Sequence, residues 1–257
     1  MLNTPIKKLR YIDLGLIEPS FIQSIWEYPN LVSLTMPTIF VYSPNKDTIG
    51  NMGYEELGKK INIERLPKDI GFYRVKGKDA HPFLINQDVV LFILHYPDIE
   101  SFNVTDKAIK AIIFKVLKSR NIPIFWKNND IYFLKDGMEK KFFGILNDFS
   151  TKDRQTILFN ITFDFNSELA NELYKFDDIK FTKKGDVVDI SKIVGGIYEV
   201  NPDIDKNEIA IDVIQKIAER FGLEIEHKGL SEVELSKMNK LVDKFNNKEW
   251  HIHGKRP

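Results

Sequence analysis

Between Asn128 and Gly144 the chain reads NNDIYFLKDGMEKKFFG, and this stretch delivers a lysine to a place where chemistry could be done. Asn128-Asn129-Asp130 and Asp136-Gly137 are turn sequences on either side of an apolar run. The segment therefore reads as a β-hairpin whose return carries Lys140-Lys141-Phe142-Phe143-Gly144. A lysine held on rigid backbone beside a residue with no side chain, as Lys141 is near Gly144, can touch a phosphate or a carbonyl oxygen. Asn129 and Asp130 suit the turn itself, with a second duty beside a ligand open to them. Upstream, Arg74, Lys76 and Lys78 alternate along an extended segment, so Lys76 and Lys78 can face a ligand together or form a solvated basic loop. Gly77 serves a turn. His81 could take a proton or bind phosphate near neutral pH, and Pro82 after it equally suits a turn or strand entry. His251 and His253 could bind a metal only where other ligands converge, and none is indicated, so no metal site is expected. The chain contains no P-loop, G-x-G-x-x-G or G-x-S-x-G motif.

The elements that must position these residues are legible as patterns. Strand-like runs fill the first two thirds: 38–42, 89–94, 122–126, 131–134, 142–146 and 157–163. The last four are joined by short turns and are expected to form an antiparallel meander. Thr105 can cap a helix with Ile109, Ile112, Ile113, Val116 and Leu117 on one face. Asp205 with Glu208, and Ser231 with Glu234, read as capping boxes. The first precedes Ile209, Val213, Ile217 and Phe221; the second precedes Leu235, Met238, Leu241, Val242 and Phe245. Gly222 is placed to supply a left-handed cap. Sheet, central helix, meander and helical end make an α+β fold, with a mixed or antiparallel sheet flanked by helices. One domain over residues 1–257 is expected: a sheet core to about 200, a step at Asn201-Pro202, and a helical extension from about 203 packed on the same core.

Composition narrows the function classes. Lys+Arg and Asp+Glu are both 37, so there is no global basic field and nucleic-acid binding is not favoured. Cysteine is absent, which removes disulfides, thiolate metal sites and cysteine nucleophiles. The first fifteen residues hold no signal-peptide-like apolar run, and no stretch approaches the ~20 apolar residues of a membrane span. A cytoplasmic protein without membrane partners is expected.

Taken in order, several segments resemble the lipoate–protein ligase A-like family of the biotin/lipoate ligase superfamily, whose fold is akin to that of class II aminoacyl-tRNA synthetases. Leu9 to Gly15 resembles the family's opening strand and turn, and Pro37 to Tyr42 with Ile49-Gly50 the next strand and loop. Asn129-Asp130-Ile131 resembles its Asn-Asp-Ile segment, and Lys140 to Gly144 its Lys-Lys-Ile-Ser-Gly segment. Thr156 to Asn160 resembles a Gly-Thr-Leu-Leu-Val-Asn strand, and Phe221-Gly222 through Glu249-Trp250 the closing helices. The resemblance implies two-step acyl transfer. ATP (with Mg) and lipoate form lipoyl-AMP, and the lipoyl or octanoyl group then passes to a lysine of a lipoyl-domain protein. Such chemistry rests on positioning and charge stabilisation. It implies adenylate contact and a catalytic role for Lys141, and ligand contacts around Arg74, Lys76, Gly77, Lys78, His81, Asn129, Asp130 and Gly144. A separate accessory C-terminal-domain subunit is a further implied partner.

One segment departs from the family pattern. The signature Arg-Arg-x-Ser/Thr-Gly-Gly-Gly-x-x-x-His-Asp aligns without a gap on Arg74 to Ile85. The glycine triplet becomes Lys78-Asp79-Ala80, the second arginine becomes Val75, and His-Asp becomes Leu84-Ile85. Glycines there let backbone amides approach an anion, and side chains fill that space. Two outcomes stay open: a re-equipped ligase using Lys76 and Lys78 as donors, or a non-catalytic paralogue that binds a lipoyl domain, a ligand or a partner ligase. Biotin–protein ligase-like activity is a third reading.

Overall fold

The structure is a computed structural model that describes residues 7–75, 82–97, 105–147, 154–175 and 189–255. Its centre is a six-stranded mixed sheet. The strands are β1 (Lys8–Ile17), β2 (Thr38–Pro44), β6 (Val89–Tyr96), β10 (Phe143–Asn147), β11 (Gln155–Thr162) and β12 (Glu224–His227), in the order β10-β11-β6-β2-β1-β12. β1 runs parallel to β2 and β12; the other pairs are antiparallel. β2 and β6 are buried at every residue because both faces of the sheet are covered.

One face carries α3 (Asp106–Ser119) and α5 (Lys206–Phe221), packed on Ile39, Val41, Phe92 and Phe159. The other carries α1 (Pro19–Trp26), followed by α2 (Tyr28–Leu31), and a three-stranded sheet of β3 (Thr48–Met52), β4 (Gly71–Val75) and β5 (Phe83–Ile85). α6 (Glu232–Phe245) lies against α1 and sends Met238 into this second core. Arg10 secures α6: its guanidinium donates to Glu234 at 2.7 and 3.1 Å and to Tyr28 Oη at 2.8 Å. The same bonds hold the Glu234 carboxyl well below the usual carboxylate range. α4 (Ser167–Leu173) and α7 (Lys248–His251) complete the helices among the described residues.

The expected caps form, with one change. Thr105 accepts from Ala108 N, and Ser231 and Glu234 make a reciprocal box. Gly222 ends α5 in the left-handed conformation at φ 62°. Asp205 caps alone, accepting from Asn207 N, because Glu208 turns outward to pair with Arg120 at 2.6 Å. Leu235, expected on the apolar face of α6, is 42% exposed, while Met238 and Phe245 carry the burial.

The continuous meander is corrected. β7 (Ile124–Lys127), β8 (Asp130–Lys135) and β9 (Met138–Lys141) form a separate three-stranded sheet, while β10 and β11 belong to the central one. Phe142 is the point of departure. Its ring is buried against Phe133, and its carbonyl accepts from Thr162 N at 2.8 Å, so the chain crosses between sheets there. Lys141 and Gly144 thus lie in different sheets. No described helix is long and apolar enough to cross a membrane.

Candidate functional site

Two tight turns build the hairpin that carries Lys141. Asn128 and Asn129 sit at φ 50° and 60°, and Asp136 and Gly137 at 51° and 75°. Positive φ at both central residues is the two-residue turn whose twist matches antiparallel strands, and asparagine, aspartate and glycine tolerate it best. Register then places Tyr132 opposite Lys141, and Phe133 opposite Lys140.

Side chains alternate along β9, so the two neighbouring lysines part company. Lys140 turns inward, is 7% exposed, and pairs with Glu199 at 2.5 Å. Lys141 turns outward, its side chain 39% exposed, and pairs with Asp130. Its backbone is fastened on the far side as well: its N–H donates to Ile193 O at 2.8 Å, and its carbonyl accepts from Gly195 N at 3.0 Å. A Cβ at Gly195 would come within 2.9 Å of Lys140 Cδ and Phe133 Cζ, so glycine permits this close pass.

A residue absent from the sequence-based set joins the pair. Lys110, on α3, donates to Asn129 O at 3.0 Å and lies 3.8 Å from Asp130 Oδ1. The Asp130 carboxylate is therefore flanked by two ammonium groups, and the cluster carries a formal charge of +1 (two lysines less one aspartate). Such a cluster can take an anionic oxygen by exchanging Lys141 from carboxylate to ligand. Only the helical spacing that puts Lys110 on the polar side of α3 could have pointed to it.

Gly144 meets a plain packing need. It faces Asn160 across β10 and β11, and a Cβ there would lie 2.7 Å from Asn160 Oδ1. Arg74 has a different task from the one expected. It is fully buried, and its guanidinium donates to the carbonyls of Gly53 at 2.8 Å, Glu55 at 2.9 Å and His251 at 2.9 and 3.2 Å. Its charge also lies over the Trp250 ring, 5.7 Å from the centroid. Those bonds turn the guanidinium toward the end of the chain because Phe72 and Arg74 share the outer side of β4, under α7. Lys76, Gly77, Lys78 and His81 lie outside the described residues. Phe83, just beyond them, packs with Tyr73 over Gly50, where a Cβ would meet their rings at 2.8 and 2.6 Å.

Mg²⁺ does not fit the described part of this site. Beside phosphates it needs one or two carboxylates. Asp130 supplies one, and its two oxygens face Lys141 and Lys110. Among the described residues no group of three or more histidine, aspartate or glutamate side chains could hold a metal. Clefts of about 660 and 270 Å³ lie elsewhere, and Lys141 lines neither the larger nor the two smaller ones.

This architecture is that of the biotin/lipoate ligase fold. No family model matches the sequence, and no curated protein matches it. Among solved structures the chain is similar to a bipartite lipoate–protein ligase from Thermoplasma acidophilum, at 14% identity and TM-score 0.76, over 98% of each chain. It is similar to a lipoate–protein ligase A bound with ATP, at 13% identity and TM-score 0.72, over 96% of this chain and 99% of that one. P. falciparum LipL1, in complex with lipoate, aligns at 15% identity and TM-score 0.68, over 98% of this chain and 75% of the other. At these identities the likeness is one of fold, and the resemblance read from the sequence is to the same lipoate–protein ligase A-like proteins.

Proposed function

We propose that this chain is a lipoate–protein ligase-like acyltransferase, passing a lipoyl or octanoyl group from an acyl-adenylate to a lysine of a lipoyl domain. The observation that carries the reading is the Lys141 ammonium. It is presented by a doubly fastened strand and held in an exchangeable pair with Asp130, on a fold shared with lipoate–protein ligases.

In this reading Lys141 leaves Asp130 for the acyl-adenylate, setting its charge against the phosphate and the acyl carbonyl oxygen. Lys110 stays beside Asp130 and the β7–β8 turn during the exchange. The target amine attacks the acyl carbon; a C–N bond forms, the C–O bond to phosphate breaks, AMP leaves, and the amine's proton passes to solvent. ATP supplies the adenylyl group where the adenylate is made on the protein. A separate accessory subunit belongs to the same reading.

The test is intact-mass measurement of a lipoyl domain incubated with the chain and lipoyl-adenylate, and separately with lipoate, ATP and Mg²⁺. One added lipoyl group is expected, lost by about 10²–10³-fold with Lys141→Ala, the scale of one oxyanion contact. Transfer by Lys141→Ala at the wild-type rate would overturn the role of Lys141. A second reading, a non-catalytic protein binding a lipoyl domain on the same fold, is favoured by Phe83 and Tyr73 filling the space over Gly50. It predicts stable capture of a lipoyl domain with no mass change.

A further inference from the structure

A second cleft, on the α5 side of the central sheet, stands apart from Lys141 and from the acyltransferase reading. It holds about 270 Å³ and lies between the far ends of β1 and β2 and the first turns of α5. Its body is apolar, lined by Leu16, Val41, Val90, Ala210 and Ile211. A bulge in β1 helps to build it. Asp13 pairs with Val41, but Gly15, at φ 59°, pairs with Tyr42, so one extra residue reverses the alternation. Leu16 therefore leaves the side of Ile12 and Leu14, in the second core, and stands opposite Ser43 on the α5 side. Leu16 is 59% exposed there, and Ile211 is 46% exposed. Two large apolar side chains left open beside one concave apolar surface are the pattern of a small-ligand site.

The polar groups at its edge favour a cation. Tyr11 and Asp13 stand on the same side of β1, and the Tyr11 hydroxyl donates to Asp13 Oδ2 at 3.3 Å. Burial, with the charge of Asp13 beside it, pushes the Tyr11 phenol up to about 12, so the hydroxyl stays a donor. Gly15 N donates to Asp13 Oδ1 at 2.9 Å. Among the described residues no cation pairs with Asp13. Lys206, the one basic residue lining the cleft, is held by Asp88 at 2.8 Å and by Gln87 O at 2.7 Å. The cleft therefore joins an apolar body to an uncompensated carboxylate with acceptor capacity to spare.

We propose that this cleft binds a small primary alkylammonium ion, its chain laid between Leu16, Val41 and Ile211 and its ammonium donating to Asp13. A carboxylate or phosphate in the same place would meet Asp13 as a like charge, and a purely apolar molecule would leave that charge unmatched. The volume, roughly nine waters at ~30 Å³ each, suits a chain of about six carbons.

Hexylammonium chloride is the probe, titrated into the full chain while ¹³C methyl spectra report Leu16, Val41, Val90 and Ile211. Saturable shifts of those methyls are expected at about millimolar concentration, the scale within reach of a ligand this small. Hexanoate and hexanol, of the same length, should bind at least about fivefold more weakly, the worth of one unit charge pair near 4 Å in water. Asp13→Asn keeps an oxygen for Gly15 N and removes the charge. It should weaken hexylammonium at least about fivefold and leave hexanol unchanged. Ile211→Lys, at an exposed helical position, should weaken hexylammonium by a like factor through repulsion. Methyls unmoved by hexylammonium, or a response unchanged in Ile211→Lys, overturn the site. Hexanoate or hexanol binding as tightly, or an unchanged affinity in Asp13→Asn, overturns the ligand class.

Discussion

Arg74 and Lys141 are both cations on strands that sequence placed near a ligand, and the fold treats them in opposite ways. Arg74 sits where the segment after β3 meets α7, and its rigid fork satisfies carbonyls of Gly53, Glu55 and His251. Lys141 sits at a half-exposed corner, and a single carboxylate holds it. The difference lies in what a charge can exchange. A buried guanidinium bonded to backbone cannot leave without stranding several acceptors; a half-exposed ammonium on one aspartate can leave for any better anion. The sharpest way to break this contrast is Arg74→Met. It should destabilise the fold by about 3–5 kcal/mol, the scale of removing one member of a buried charged network, and urea unfolding would show it. A loss under about 1 kcal/mol would mean that Arg74 does not hold the chain end.

The same contrast runs through the histidines. His95 is fully buried, with Nδ1 at 2.9 Å from Thr156 Oγ1 and Nε2 at 3.0 Å from Ile25 O, whereas His251 has no partner. Burial pushes the His95 imidazole down to about 3. The fold therefore favours its neutral form, and the unfolded chain takes up the proton first. The stability it contributes is complete above about pH 6.5 and drains as pH falls toward 3. Between pH 6.5 and 4 the loss should be about 3 kcal/mol from this residue, measured by urea midpoints across pH. His95→Gln should flatten that slope while lowering stability at pH 7. An unchanged slope would show that His95 titrates in the fold much as it does in the unfolded chain.

What was legible in the sequence is local, and what was not is long-range. The turns at Asn128-Asn129 and Asp136-Gly137, the Thr105 and Ser231 caps and the Gly222 stop follow from single residues with single conformational preferences. The split at Phe142 was hidden because a phenylalanine between two strand-like runs looks like more strand. The parallel edge strand β12, Glu224-Ile225-Glu226-His227, was hidden because four residues with a single apolar side chain are too few for strand alternation to show. The Arg74 contacts span 177 residues to His251, a separation no spacing rule reaches. Lys141 was visible through its hairpin. Lys110 was not, because its approach to Asp130 depends on how α3 lies against the β7–β8 turn.

The smallest expected effects lie at that corner, and they sharpen the contrast most. Lys141→Met removes a pair between a 39% exposed ammonium and a nearly buried carboxylate, so stability should change by about 1 kcal/mol or less. Its neighbour Lys140, 7% exposed on Glu199, should cost more when changed to Met, because Glu199 also accepts from Gly196 N at 3.1 Å and is left without its cation. Adjacent residues of one strand would then separate into a stability mutant and an activity mutant. Lys110→Met tests the third member. With Lys110 gone, Asp130 has one cation left and grips Lys141 harder, by about 1 kcal/mol for a pair near 4 Å at the protein surface. A ligand competing for Lys141 then meets a stronger rival, so KM for lipoyl-adenylate should rise about fivefold while kcat changes little. A fall in kcat at constant KM would instead place Lys110 in contact with the reacting group. No change in either would detach Lys110 from the site and leave Lys141 and Asp130 to act as a pair.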